Sequence, residues 1–250
     1  MGDRPDPHAA HRATAASGGL PWPNRCAVCR SDTQGRAQRL CLDCVSRFAP
    51  AEARCRLCAL PLASPSGVCG RCLRHPPPWS RAVAACDYAY PWDGLVAALK
   101  FRDALDLGGP LAGLLAARLA QASADGKTTD VDALVPMPLS DARLAQRGYN
   151  QAALLAQALG GALGLPVQHG WLLRIADTAQ QATLPRERRM ANVRGAFAAE
   201  PLALPLLRGR RIALIDDVMT TGATLAEAAR ELQAAGAAAI QVWVVARTPD

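Results

Sequence analysis

Eight of the nine cysteines in this 250-residue chain fall into four Cys-x-x-Cys pairs, Cys26/Cys29, Cys41/Cys44, Cys55/Cys58 and Cys69/Cys72, separated by 11, 10 and 10 residues. A Cys-x-x-Cys turn brings two thiolates to one side of a tight knuckle, and two knuckles supply the four sulfurs of a tetrahedral zinc ion. Four tandem disulfides do not suit a reducing compartment, and thioredoxin-type chemistry needs one such motif in a βαβ setting instead of four in a row. The spacing therefore points to two structural Zn²⁺ ions held by these eight cysteines. Sequential pairing of the knuckles and cross-brace pairing both remain open, with the short, similar gaps favouring local closure on loop entropy. Cys86, alone in an apolar run, reads as a small buried residue.

The metal sets the domain plan. Residues 25–75 are poor in large aliphatics and punctuated by Gly and Pro, so they fold only when stapled, as a double zinc-ribbon domain. His75-Pro76-Pro77-Pro78 makes an extended spacer. Residues 81–250 are rich in Ala, Leu and Val and form a second domain. Residues 1–24, rich in Pro, Ala, Gly and His without an apolar core, read as a disordered lead-in instead of an export signal. The longest apolar stretch, Leu107 to Ala122, is broken by glycines and Arg118, which argues against membrane insertion and for a cytoplasmic protein.

The chain carries 28 Lys+Arg against 21 Asp+Glu, a formal +7. Nine of those arginines lie between Arg25 and Arg74, against Asp32, Asp43 and Glu52. Two zinc ions held by eight thiolates bring a net negative charge to the same segment, so much of the apparent polycation is neutralised internally. The ribbon arginines then have two readings of equal weight, as counter-charges to the thiolates or as contacts to nucleic-acid phosphates.

In the second domain helical and strand patterns alternate. Strands are expected over Val83–Tyr90, Val131–Val135, Val167–Ile175, Arg211–Ile215 and Ala239–Ala246. Helices are expected over Asp93–Phe101, Leu107–Ala122, Gln151–Gly160 (capped by Asn150) and Ala223–Ala235. That alternation describes an α/β fold, a mainly parallel sheet with helices on both faces. Within it, Arg211-Ile-Ala-Leu-Ile215 runs into Asp216-Asp217 and then Thr220-Thr221-Gly222-Ala-Thr224 at the mouth of a helix. Unpaired N–H groups at a helix start bind phosphate, threonine hydroxyls add donors, and Gly222 lets a ligand approach the backbone. Two carboxylates are the wrong charge for that phosphate but suit a vicinal diol, so the pair of features describes a ribose 5-phosphate site. The bland alternative, that the acids end a strand and cap a helix, accounts for each dipeptide singly but not for the whole order.

That order resembles the phosphoribosyl pyrophosphate (PRPP) signature of type I phosphoribosyltransferases. The resemblance implies that Asp216 and Asp217 hold the ribose hydroxyls, that Thr220, Thr221, Gly222 and Thr224 cradle the 5′-phosphate, and that Mg²⁺ accompanies PRPP. Val135-Pro-Met-Pro138, Arg143-x-x-x-Arg147-Gly-Tyr-Asn-Gln151, Arg189-x-x-Asn192, Leu99-Lys100-Phe101 and the cysteine pairs together look like the ComF family of competence proteins. By that resemblance Arg143, Arg147 and Arg189 face pyrophosphate, with guanidinium forks suited to phosphate oxygens, while Arg186-Glu-Arg-Arg189 reads equally well as a solvated charge run. Tyr149 is a candidate for base stacking, although packing is its commoner role. The implied activity is transfer of phosphoribose from PRPP to a nitrogen nucleophile. The alternative is a PRPP-binding or zinc-stapled module without turnover. Single-stranded DNA and competence-machinery proteins are the implied partners.

Overall fold

The computed structural model describes residues 25–33, 39–62, 67–122, 130–176 and 195–249. The lead-in and Arg189, with Arg186, Arg188 and Arg194, lie outside these residues. Two short helices, α1 (Leu42–Phe48) and α2 (Gly70–Arg74), each start inside the later knuckle of a ribbon, with Cys41 and Cys69 as their N-caps. After them come β1 (Arg81–Asp87), α3 (Trp92–Phe101), a 3₁₀ turn at Leu105–Leu107 and α4 (Gly108–Ala122). The chain continues through β2 (Ala133–Pro136), α5 (Asp141–Arg147), α6 (Gln151–Leu163), β3 (Leu172–Arg174), β4 (Phe197–Ala199) and α7 (Leu204–Leu207), and ends with β5 (Arg211–Met219), α8 (Ala223–Ala234) and β6 (Ala239–Arg247).

β1, β6, β5 and β2 form a wholly parallel sheet in that spatial order, and β3 pairs antiparallel with β4 in a separate two-stranded sheet. Side chains alternate faces along each strand, and every strand of the large sheet is apolar on both. Ala84, Val135, Leu214 and Val244 point into one core with α8, whose Leu225, Ala228, Ala229 and Leu232 recur at helical spacing. Val83, Leu134, Ala213, Ile215 and Val245 point into the other, against α3, α4 and α6. The expected α/β sandwich is thus present, with helices on both faces.

Two strands depart from the sequence pattern. The segment expected as a strand over Val167–Ile175 pairs regularly only at Leu172–Arg174, because a turn at His169-Gly170 breaks it, and Val167 makes one isolated parallel bridge to Leu134. β5, expected to stop at Ile215, runs on to Met219 because β6 is equally long: Asp216 lies opposite Val244 and Met219 opposite Arg247. The two acids are therefore held by a strand instead of a loop.

The ribbons sit astride the sheet edge at β1. The first contributes Leu40 and Ala49 to one core, while the Trp92 indole donates to Phe48 O (2.6 Å) and Arg118 to Pro50 O (2.8 Å). The second contributes Ala59 to the opposite core, and Arg56 O accepts the Ala82 N–H of β1 (2.7 Å), so this ribbon covers an otherwise open strand edge. Arg39–Asp106 and Arg54–Asp87, both 2.7 Å, add ion pairs across the junction, giving two of the ribbon arginines a docking role.

Packing is tightest where α6 crosses the chain after it. A Cβ on Gly160 would lie 2.7 Å from Val167 Cγ2 and 2.8 Å from Leu165 O, whereas one on neighbouring Gly161 meets nothing within 4 Å. Gly160→Ala should cost about 1–3 kcal/mol by overpacking, while Gly161→Ala should stabilise by about 1 kcal/mol through helix propensity. Denaturant melts read both, and equal effects would contradict this packing.

Candidate functional site

A cavity of about 790 Å³ opens beyond the carboxyl ends of β2 and β5, the usual ligand position in parallel α/β sheets. Its wall includes Asp216, Asp217, Thr220, Gly222 and Thr224 from β5 and the start of α8, Arg143 and Arg147 from α5, Lys100 and Phe101 from α3, and Arg174 from β3. The remaining residue of the expected phosphate cradle, Thr221, does not line this cavity; its hydroxyl accepts the Ala223 N–H (3.3 Å) and shapes the turn. Gly222 holds φ at +79°, which favours glycine, and a Cβ there would press within 3.2 Å of the Trp79 ring.

The expected pyrophosphate side, around Arg143 and Arg147, is shaped by local turn chemistry. Gly148 ends α5 with φ at +78°. Asn150 then caps α6, its side-chain oxygen accepting from Ala152 N (2.9 Å) and Ala153 N (3.3 Å), and its amide donates to Met137 O (3.0 Å), tying the chain after β2 to this corner. Arg147 donates to Gln151 Oε1 and stacks its guanidinium 5.0 Å from the centre of the Phe101 ring, which is 70% exposed. Tyr149, the stacking candidate, donates its hydroxyl to Leu99 O and so anchors the end of α3.

The carboxylates differ sharply. Asp217 is 2% exposed and its Oδ1 lies 2.9 Å from Lys100 Nζ, while its buried Oδ2 has no hydrogen-bond partner. Burial works against the Lys100 ammonium, but the Asp217 and Asp216 carboxylates together outweigh it and raise its pKa. Burial first, and the Asp217 charge second, push Asp216 up to about 8. Asp216 therefore holds its proton well above the usual carboxylate range. Lys100 stands out only within the Leu-Lys-Phe motif in the sequence. Its signal is phase: it falls four residues after buried Val96, on the apolar side of α3.

The cysteines gather as Cys26, Cys29, Cys41 and Cys44 in one group and Cys55, Cys58, Cys69 and Cys72 in the other, with all four sulfurs of each within 4.8 Å of one another. Pairing is therefore sequential. Cys29–Cys41 and Cys58–Cys69 sulfurs are 3.7 Å apart, close to the edge of about 3.8 Å in a tetrahedron with 2.3 Å zinc–sulfur bonds. Backbone N–H groups of Cys41 and Cys69 point at the Cys26 and Cys55 sulfurs (3.4 and 3.3 Å). The Ser31 side chain lowers Cys29 to about 6, whereas burial pushes Cys44 and Cys72 up. A dication removes that conflict by taking all four as thiolates. The donor sets fit structural Zn²⁺.

Among known proteins, the double zinc ribbon domain family matches residues 20–73 and the phosphoribosyl transferase domain family residues 145–250. DNA utilization protein YhgH of Salmonella typhimurium is 37% identical over 92% of this chain and 99% of its own length. Competence protein F of Haemophilus influenzae is 33% identical over 89% of this chain and 96% of its own. Competence protein ComFC of Bacillus subtilis is 41% identical over 42% of this chain and 40% of its own. No helix among the described residues is long and apolar enough to cross a membrane.

Because the folded chain holds the Asp216 proton more tightly than the unfolded chain, whose carboxyl titrates near about 3.9, the stability due to this group is present below that pH and is lost as pH rises through about 8. Asp216→Asn should remove this slope, so its stability relative to the parent rises with pH across that window. Unfolding free energies measured along a pH series check this; a constant difference would contradict it.

Proposed function

Since the chain belongs to the ComF family, which includes competence protein F and DNA utilization protein YhgH, we propose that its cavity binds PRPP with Mg²⁺ and transfers the phosphoribosyl group to a nitrogen nucleophile. One observation carries this reading. A strand-held pair of acids is followed at once by a left-handed glycine turn and a helix N-terminus, and all of them open on a cavity lined with cations. The 5′-phosphate belongs on the N–H groups at the start of α8, with Thr220 and Thr224 beside it. Asp216 and Asp217 accept the 2′- and 3′-hydroxyls.

The unpartnered Asp217 Oδ2 and the adjacent Asp216 also suit a hard dication that takes most of its ligands from substrate and water. Mg²⁺ would supply charge neutralisation at the pyrophosphate. Arg143 and Arg147 are placed to pair with the same leaving group. In the transfer, the nucleophile's nitrogen forms a bond to C1′ as the C1′–O bond to pyrophosphate breaks. Pyrophosphate departs with that electron pair, and the nucleophile's proton goes to solvent. The acids orient the sugar, and cationic side chains favour the leaving charge as it develops. Arg189 remains a candidate for the same side on family resemblance alone.

The relatives are named for competence and for DNA utilization. A role in single-stranded DNA handling in the cytoplasm, alongside competence-machinery proteins, fits a second groove of about 280 Å³ between the second ribbon and β1, lined by Arg54, Arg56, Arg81 and Arg118 with Glu52. Arg56→Ala with Arg81→Ala should weaken single-strand binding and flatten its dependence on salt by about one to two units of log–log slope. Fluorescence titration across salt concentrations reads this; an unchanged slope would remove the groove from the interface.

Asp216→Asn with Asp217→Asn removes one charge-assisted hydrogen bond worth about 1.5–3 kcal/mol and disturbs a second, neutral one, so PRPP affinity should fall by about one to two decades. Calorimetry with Mg²⁺ present measures it, and unchanged affinity would refute the diol role. Pyrophosphate release on incubation with PRPP, Mg²⁺ and a panel of bases or cell extract tests turnover. Binding without release would favour the non-catalytic module.

A further inference from the structure

The second cysteine cluster is joined to the sugar-phosphate turn by two side chains outside the cavity. Trp79 donates its indole N–H to Leu57 O (2.6 Å), inside the Cys55–Cys58 knuckle, and the far edge of the same ring is the atom that a Cβ on Gly222 would meet at 3.2 Å. Arg247, 2% exposed at the end of β6, donates from Nε to Cys58 O (2.8 Å) and from Nη1 to Met219 O (3.2 Å). Met219 is the last residue of β5, and its carbonyl also accepts the Thr248 N–H (3.0 Å). Both knuckle carbonyls belong to residues 57 and 58, so their directions are fixed when the sulfurs of Cys55 and Cys58 are held together. The first ribbon's carbonyls bond elsewhere, from Phe48 to Trp92 and from Ala49 and Pro50 to Arg118.

We propose that Trp79 and Arg247 are positioning residues that transmit closure of the second zinc cluster to the Met219–Gly222 turn, so that occupancy of this one cluster sets the affinity of the ribose-phosphate site. The inference rests on that reading of the site. A buried guanidinium deprived of a carbonyl acceptor is costly, as is a buried carbonyl deprived of its donor, so movement of the knuckle drags Arg247 and with it the end of β5. The Trp79 ring likewise cannot shift without changing the wall against which Gly222 packs. Coupling of this kind is reciprocal: a ligand that holds the turn also holds the knuckle and its metal.

The test uses the full, zinc-loaded chain. Trp79→Phe keeps a ring and removes the N–H, and Arg247→Met keeps an apolar stem and removes the guanidinium. Three quantities are measured: zinc content, hydrogen exchange at the amides of Thr220 to Ala223, and affinity for PRPP with Mg²⁺. Both variants should keep two zinc ions per chain, exchange the turn amides about tenfold faster, and bind PRPP about tenfold more weakly. Cys69→Ser, which opens the second cluster, should have the same effect in the parent and add nothing when Trp79→Phe and Arg247→Met are combined, whereas Cys41→Ser in the first cluster should leave turn exchange unchanged. Bound PRPP should slow zinc loss to a chelator from the second cluster alone. Unchanged turn exchange in zinc-replete Trp79→Phe and Arg247→Met overturns the coupling, and so does an equal response to opening either cluster. If the parent binds no PRPP, the ribose-phosphate reading fails, and the exchange data still decide the coupling on their own.

Discussion

The ion pair between Lys100 and Asp217 is the interaction on which the arrangement of the cavity depends. Two adjacent carboxylates at the end of a buried strand repel each other, and water has little access to soften that repulsion. A single ammonium 2.9 Å from Asp217 makes one charge tolerable and leaves Asp216 to keep its proton. Breaking such a buried pair from one side costs about 3–5 kcal/mol, because the abandoned charge remains. The same economy leaves Asp217 Oδ2 without a donor. A buried carboxylate oxygen without a donor is the atom on which the proposed sugar hydroxyl or dication would act most strongly.

Lys100 comes from α3, upstream of the segment that matches the phosphoribosyl transferase domain family, so that segment does not complete the cavity by itself. The end of α3 is held by the Tyr149 hydroxyl, and its start by the bond from Trp92 to the first ribbon. The second ribbon reaches the opposite side of the site through Trp79 and Arg247. Each ribbon thus braces one part of the cavity wall, and the second also closes the β1 edge. A metal-stapled unit too small to build much core of its own gains stability by lending its few apolar side chains to both cores of its neighbour.

Much of this was legible in the sequence, for physical reasons that differ by element. The cysteine clusters were readable because zinc demands four sulfurs at fixed reach, although only the three-dimensional arrangement decided between sequential and cross-brace pairing. The strand–acid–threonine–glycine order was readable because each residue type answers a separate chemical need. Its backbone was not: where β5 ends depends on the length of β6, a neighbour remote in sequence until folding. The Val167 segment failed for the opposite reason, since a Gly-containing turn overrode apolar periodicity. Lys100 and Arg247 were the hardest to foresee. A lone cation in an apolar phase shows neither its partner nor its direction until distant elements pack around it.

The most direct measurement is a crystal structure of the zinc-loaded chain with ribose 5-phosphate. The phosphate should sit on the N–H groups opening α8, with the 2′- and 3′-hydroxyls donating to Asp216 and Asp217. A sugar phosphate bound elsewhere, or one that reaches the turn while the two aspartates make no contact with it, would contradict the central claim.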